Sequence, residues 1–314
     1  MKAFYSTAYG GPEVSFYGDY PDPVVGEGKV LVSVKAVSIN PADYKIKRGD
    51  LKTLAGDTFP RILGSDFSGI VKGTGSGVTK FRQGDRVYGM TPVFLGKPGA
   101  LAELLTVAEK NIRVIPEEMS FEEAAALPAA SLTALNGLRN CGNISRKQLL
   151  INGATGGVGH YAIQIASALG AMVTATCSSE NAELARKLGA KEIAGQSSTD
   201  LVKSGKKFDA ILDAYGKMEY SDIYRLLKRN GIYASTLRKP SGSLKTFLIR
   251  FFYGKKLTDS NMRATPGDYQ EIENLFRQKK LFPVIEHKFA LEKAADAFKL
   301  AESGKHRGKI IVNI

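Results

Sequence analysis

The most readable chemistry in this 314-residue chain lies in seven residues between two apolar runs. Gly153-Ala154-Thr155-Gly156-Gly157-Val158-Gly159 follows LLIN (149–152) and opens HYAIQIASALG, so a glycine-rich turn joins a strand to a helix. In that setting glycines let the backbone turn tightly and approach a pyrophosphate, while the helix N-terminus presents oriented N–H groups and positive dipole. Ala154 stands where the usual first glycine would be, so the pattern is imperfect, and a purely structural glycine turn is the alternative. The expectation is a dinucleotide site lined by residues 154 to 159. A second strand, AMVTATC (171–177), runs into Ser178 and Ser179 rather than into Asp or Glu. A carboxylate there would take the ribose 2′-hydroxyl and repel a 2′-phosphate. Small hydroxyls leave room for the phosphate and can donate to it. NADPH is the expected cofactor, and Ser179 is also a candidate cap for the helix that follows.

The elements that must position this chemistry fall into two rhythms. Up to about Leu127 the chain reads as strands and turns: VLVSVKAVSI (30–39) is a β-branched run of period two, and glycines punctuate residues 64 to 90. Ser120 with Glu123 three residues later has the pattern of a capping box before an alanine-rich helix. From about residue 128 strand, turn and helix repeat: after the first two strands, SENAELARKLGA reads as a helix ending at Gly189 and KFDAILDAY (207–215) as a later strand. Alternation of that length implies a parallel sheet covered by helices. The tail from about 264 reads as a helix, a strand near VIEHKFA, a helix at LEKAADAFKLAESG and a last strand KIIVNI. The fold class is therefore α/β, a β-rich domain followed by a doubly wound parallel sheet.

Composition narrows the partners. Hydrophobic residues make up 43% of the chain, enough for substantial cores. No run of about 18 apolar residues and no secretory leader is readable, so no membrane span is expected. Cys141 and Cys177 are too few for a disulfide framework and fit a reducing compartment, which points to the cytoplasm. The formal charge of +13 is spread in ones and twos without interleaved aromatics, which argues against nucleic acid and fits a solvated surface or an anionic cofactor. The stretch KTFLIRFFYGKK (245–256) mixes apolar and basic residues and suits a lipid surface, a substrate rim or a subunit contact.

Across nearly its whole length the chain resembles the medium-chain dehydrogenase/reductase superfamily, and within it the zinc-free quinone oxidoreductases related to zeta-crystallin. The resemblance rests on Ser38-Ile-Asn-Pro-Ala-Asp43 with Arg48-Gly49, on Leu63-Gly-Ser-Asp-Phe-Ser-Gly69, and on Gly84-Asp-Arg-Val-Tyr88. Leu132-Thr-Ala134, the 153–159 turn and Arg307-Gly-Lys309 complete it. It implies a GroES-like catalytic domain (1–122), a Rossmann domain (123–263), a C-terminal return to the first domain (264–314), and a homodimer. Zinc relatives carry Cys where Asn40 stands, His where Ser65 stands, and a second Cys near Ala129. A catalytic zinc needs at least three such donors at about 2 Å, and none is here.

Without a Lewis acid the acceptor carbonyl must be polarised by hydrogen bonds, or the acceptor must already be electrophilic enough to take a hydride, a condition that quinones and conjugated enones meet. By resemblance Asn40 lies beside the nicotinamide and the acceptor carbonyl, with Asp43 in the same turn. Tyr44 follows, and its phenol could donate to the developing enolate. The plain alternatives are a packed Tyr44 and an Asp43 that stabilises its turn. Thr133 resembles the threonine near the nicotinamide amide, and Lys309 matches a lysine of the C-terminal motif whose alternative is a surface charge. Where many relatives carry a basic residue for the 2′-phosphate this chain has Asn181, and where many carry a tyrosine after the third strand it has Gln196, departures that weaken the expected preference for NADPH. A protein that binds NADPH without turnover would show damage in the glycine turn or the Asn-Pro-x-Asp segment, and both are intact. The protein purified without added metal is expected to hold no stoichiometric zinc and to keep its activity through chelation; elemental analysis and a chelator titration check both.

Overall fold

Buried valines alternating with more exposed residues up to Lys35, then a fully buried run over residues 36–39, make the eleven-residue strand Lys29–Ile39 the spine of the N-terminal part of the computed structural model. It is the third strand of the chain, after β1 (Lys2–Ser6) and β2 (Ser15–Asp19), so it is β3. β4 (Arg61–Ile62), β5 (Asp66–Thr74), β6 (Arg86–Met90), β7 (Leu104–Ala108) and β8 (Ile112–Val114) follow. The structure describes residues 1–195, 197–237, 256–259 and 264–314. Gln196 and all but the last residue of 245–256 therefore lie outside the described residues.

Two units emerge, Met1–Ala129 with Ile285–Ile314, and Ala130–Val284. In the first, the long sheet runs β15-β16-β3-β5-β6-β8, with β15 (Ile285–Ala290) and β16 (Lys309–Asn313) contributed by the C-terminal return and β7 also paired to β3. The valines and isoleucines of these strands, with Leu101, Leu105 and Phe298, fill one core. On the other side the alanine-rich helix Phe121–Ala126 lays Ala125 and Ala126 against Ala36 and Ile311. Ser120 caps that helix through the expected box: its hydroxyl accepts from Glu123 N–H and the Glu123 carboxylate accepts from Ser120 N–H.

The return begins later than 264. The helix Pro266–Arg277 belongs to the second unit, where Arg139 pairs with its Asp268 and, at 2.6 Å, with its Glu271. Those ion pairs hold it to the helix Pro128–Asn140.

In the second unit β9 (Gln148–Asn152), β10 (Met172–Thr176), β11 (Glu192–Ala194), β12 (Phe208–Asp213), β13 (Leu227–Ser235) and β14 (Lys256–Asp259) are all parallel. Their spatial order is β11-β10-β9-β12-β13-β14. Counted from β9 this is the doubly wound dinucleotide-fold order, which reverses direction between β9 and β12. Ligands of such sheets bind at the carboxyl ends of the strands beside that reversal. The glycine turn leaves β9 at that end.

Candidate functional site

Strand register brings distant residues of the first unit together. β16 runs antiparallel to β3 with Ile310 opposite Ile39, which sets Lys309 beside Asn40. β5 runs antiparallel to β3 with Asp66 opposite Ser38, which brings Ser65 and Asp66 to the same end. There β3 stops at Asn40, and the helix Pro41–Arg48 starts with proline in its first turn, where no N–H is needed. Asp43, in that first turn, accepts the Asn40 N–H on Oδ2 at 2.8 Å. This half of a capping box is made; the Asn40 side chain turns elsewhere.

Lys309 Nζ donates to Asn40 Oδ1 at 2.5 Å. The other end of the amide, Nδ2, donates to Asp66 Oδ2 at 2.9 Å and Ser65 Oγ at 3.1 Å, with Ser38 O further off at 3.4 Å. Asp66 Oδ2 also accepts the Ala129 N–H at 3.0 Å. The positions that hold ligands in zinc relatives, Asn40, Ser65 and Ala129, thus converge on one hydrogen-bonded cluster with an ammonium inside it. A metal cation would meet that ammonium and no thiolate or imidazole. Among the described residues no group of three or more His, Cys, Asp or Glu is placed to hold a metal ion.

Lys309 is not a surface charge: it is 3% exposed, because β16 is an interior strand of the sheet. Burial pulls its ammonium below the ordinary lysine range, against the pull of Asp66 and Asp43. Burial likewise pushes the Asp43 carboxyl up to about 7, helped by the nearby Asp66 charge and opposed by the Asn40 N–H and Lys309. Asp66 rises to about 6 by burial, held back by Lys309, Asn40 and the Ala129 N–H. One oxygen of each carboxyl, Oδ1, is buried without a hydrogen-bond partner. Two carboxylates facing one ammonium carry an excess negative charge, and a proton on the pair cancels it.

Tyr44 is half-buried on the same helix, packed against the core with the Arg48 guanidinium 5.5 Å from its ring centroid. Thr133 lies in the second unit, half-buried in the helix Pro128–Asn140.

In that unit, the glycine turn has the shape a dinucleotide needs. Gly153 takes φ +73°, and a Cβ on Gly159 would lie 2.1 Å from Gly153 O, so the helix Gly159–Ala168 starts directly against the turn. Ala154 and Thr155 are buried and Gly156, Gly157 and Val158 half-exposed, which leaves the tip accessible. The turn is tethered by a chain that sequence spacing did not reveal: Gly153 N–H donates to Thr176 Oγ1 (3.2 Å), Thr176 to Asn152 Oδ1 (2.7 Å), and Asn152 Nδ2 to Asp213 Oδ1 (2.8 Å). It links the carboxyl ends of β10, β9 and β12.

After β10, Ser178 precedes a 3-10 turn, Ser179–Asn181, without a side-chain cap; the α-helix starts only at Ala182, with Asn181 rather than Ser179 at its capping position. The Ser178 hydroxyl donates to exposed Glu180 at 3.2 Å and accepts from Asn181 Nδ2 at 2.9 Å, while Ser179 is exposed. Cys141 and Cys177 are free and buried, and burial pushes both thiols up, Cys141 to about 12, which makes poor nucleophiles of them.

A β-rich unit completed by the C-terminal strands and a doubly wound unit with a glycine turn at its reversal point define a GroES-like and Rossmann pair. Residues 26–117 match the alcohol dehydrogenase GroES-like domain and residues 188–312 the zinc-binding dehydrogenase family. The chain is 36% identical to the quinone-oxidoreductase homolog of Spinacia oleracea chloroplasts, over 93% of this chain and 91% of that one. It is 32% identical to the 2-methylene-furan-3-one reductase of Solanum lycopersicum, over 100% of this chain and 79% of that one. The quinone oxidoreductase structure from Coxiella burnetii superimposes with a TM-score of 0.92 at 30% identity, covering 100% and 99% of the two chains. The chain belongs to the medium-chain dehydrogenase/reductase superfamily and, within it, to the zinc-independent quinone-oxidoreductase family related to zeta-crystallin. It is an NAD(P)H-dependent oxidoreductase of that family.

The buried cluster yields a stability prediction. A folded-state carboxyl pKa raised above the unfolded value means the folded chain holds extra protons between about pH 4 and pH 7, so this contribution to stability falls as pH rises through that window. Lys309→Met removes the cation and pushes both carboxyls higher still. It should cost about 3–5 kcal/mol near pH 8, the usual penalty for stranding a buried charge, and clearly less near pH 5, where protons replace the ammonium. Thermal or denaturant melts of both proteins at the two pH values read it; an equal loss at both contradicts the charge assignment.

Proposed function

We propose that the protein transfers a hydride from NADPH to a quinone. The observation that carries this reading is the cluster at the end of β3: where zinc relatives polarise a substrate with a metal, this chain has Asn40, Ser65 and Asp66 bonded among themselves and to the Lys309 ammonium. An acceptor served by hydrogen bonds alone must be electrophilic already, as a quinone is. On this reading Asn40, Asp43 and Tyr44 border the acceptor. The turn residues Ala154, Thr155, Gly156, Gly157, Val158 and Gly159 take the pyrophosphate, Ser178, Ser179 and Asn181 the 2′-phosphate end, and Thr133 and Lys309 the nicotinamide end. NADPH supplies the hydride when bound. Tyr44 offers its phenol to the oxygen on which negative charge develops, and the buried walls around Asn40 keep water out.

Reduction of enones is the second reading, favoured by the enone-reducing relative from tomato. A cytoplasmic homodimer completes the proposal, supported for the compartment by the two free cysteines. Among the described residues no helix is long and apolar enough to cross a membrane.

The test is NADPH oxidation across quinones, enones and enoyl thioesters, with titration of both cofactors. Fastest turnover on quinones and tighter binding of NADPH than NADH are expected, and Ser178→Asp should shift the cofactor preference towards NADH. NADH binding as tightly as NADPH overturns the cofactor assignment, and turnover confined to enones selects the second reading.

A further inference from the structure

We propose that the hydroxyl of Ser65 donates a hydrogen bond to the acceptor oxygen beside the Tyr44 phenol, with Asn40 and Lys309 as positioning residues behind it. The proposal rests on the reductase reading above and names the residue that meets its substrate.

The Asn40 amide has two hydrogens, and both are spent: Asp66 Oδ2 and Ser65 Oγ lie at 2.9 and 3.1 Å, and Ser38 O at 3.4 Å competes for the same pair. The amide cannot flip to free one. Lys309 Nζ is only a donor, so at 2.5 Å it must face the carbonyl oxygen of Asn40; a flipped amide would set two donors against each other. Asn40 is therefore saturated, and its effect on an acceptor must pass through a neighbour.

Ser65 is that neighbour. Its oxygen receives the Asn40 hydrogen, so its own O–H has to point elsewhere. The nearest acceptor inside the cluster is Asp43 Oδ2 at 3.5 Å, longer than the 2.5–3.0 Å of a good O–H···O bond and already taken by the Asn40 N–H at 2.8 Å. Ser65 thus holds a donor with no strong internal partner. A hydroxyl that accepts a hydrogen bond becomes a better donor in turn. Burial sets Asp43 and Asp66 (0% exposed) and Lys309 (3%) deepest, with Ser65 (7%) and the saturated Asn40 (6%) outermost in the cluster. Ser65 sits on the segment between β4 and β5, and its backbone is anchored there by the Thr91 N–H, which donates to Ser65 O at 2.8 Å.

The chemistry asked of it is modest. A hydride brings two electrons and one proton's worth of hydrogen to the quinone, leaving a hydroquinone monoanion. Ser65 stabilises the negative oxygen by hydrogen bonding and keeps its own proton; the anion takes its proton from water afterwards.

Removing a single donor of this kind typically slows turnover about a hundred- to a thousandfold. Ser65→Ala should show that fall with quinones while NADPH affinity, read by titration, stays unchanged. Ser65→Thr keeps the hydroxyl and should retain most of the rate. A second readout needs no turnover: 4-nitrophenol, whose yellow anion reports its ionisation, should ionise at lower pH when bound to the wild-type protein, and that shift should vanish in Ser65→Ala. Wild-type turnover with an unaffected Ser65→Ala, or equal losses in the Ala and Thr variants, overturns this inference and leaves the reductase reading standing. A wild-type protein that reduces nothing in the panel overturns both.

Discussion

An ammonium sealed inside a β-sheet is the constraint on which the first unit turns. Lys309 opens an interior strand, so its side chain has no route to water, and an uncompensated charge there would cost several kcal/mol. Compensation comes from three directions at once: the Asn40 carbonyl at the end of β3, the Asp66 carboxyl at the start of β5, and Asp43 in the first turn of the next helix. Each of these elements is thereby fixed in register relative to the others. A slip of one residue in β16 would turn Lys309 to the opposite face of the sheet and strand both carboxyls. The same contacts that hold the sheet also orient the polar side chains at its end, so in this unit the stability problem and the site have one solution.

The second unit solves a parallel problem without a charge. The glycine turn cannot be stiffened by its own side chains, since at Gly159 even a Cβ would strike Gly153 O. Rigidity comes instead from below, through Thr176, Asn152 and Asp213, which bind the ends of β10, β9 and β12 into one hydrogen-bonded chain and hold the Gly153 N–H. Asp213 is fully buried and also accepts from Gly216 N–H, Met218 N–H and Tyr233 OH, so its charge is spread over four donors. That makes Asp213 the fixed point to which the turn is tied.

Local chemistry was legible in the sequence because its partners are close along the chain. The period-two run of β3, the strand-turn-helix around 153–159 and the Ser120–Glu123 box need only neighbours within a few residues. Long-range pairing was not legible: Asn40 and Lys309 are 269 residues apart, and nothing in Asn-Pro-x-Asp or Arg-Gly-Lys says that one amide oxygen will meet one ammonium. Ser179 does not cap the helix after β10 because a 3-10 turn intervenes and leaves Asn181 at the capping position, a choice settled by backbone geometry rather than residue type. The return to the first unit starts at Ile285 because Asp268 and Glu271 are held by Arg139, again across more than a hundred residues.

Replacing metal ligands by a neutralised hydrogen-bonded cluster changes what the end of β3 can offer a substrate. A metal delivers two positive charges to one atom and can polarise an unactivated carbonyl. Here the single positive charge of Lys309 is already balanced within the fold, and on the proposed reading its influence passes through the saturated Asn40 amide to the Ser65 hydroxyl. Such donors stabilise a charge that the acceptor spreads by itself, as a hydroquinone anion does, far better than one localised on a single alkoxide oxygen. On the proposed reading the chemistry at this end of the sheet is set by a residue buried in the protein interior: Lys309 decides which way Asn40 faces, and Asn40 donates to the Ser65 oxygen and leaves its O–H to point elsewhere.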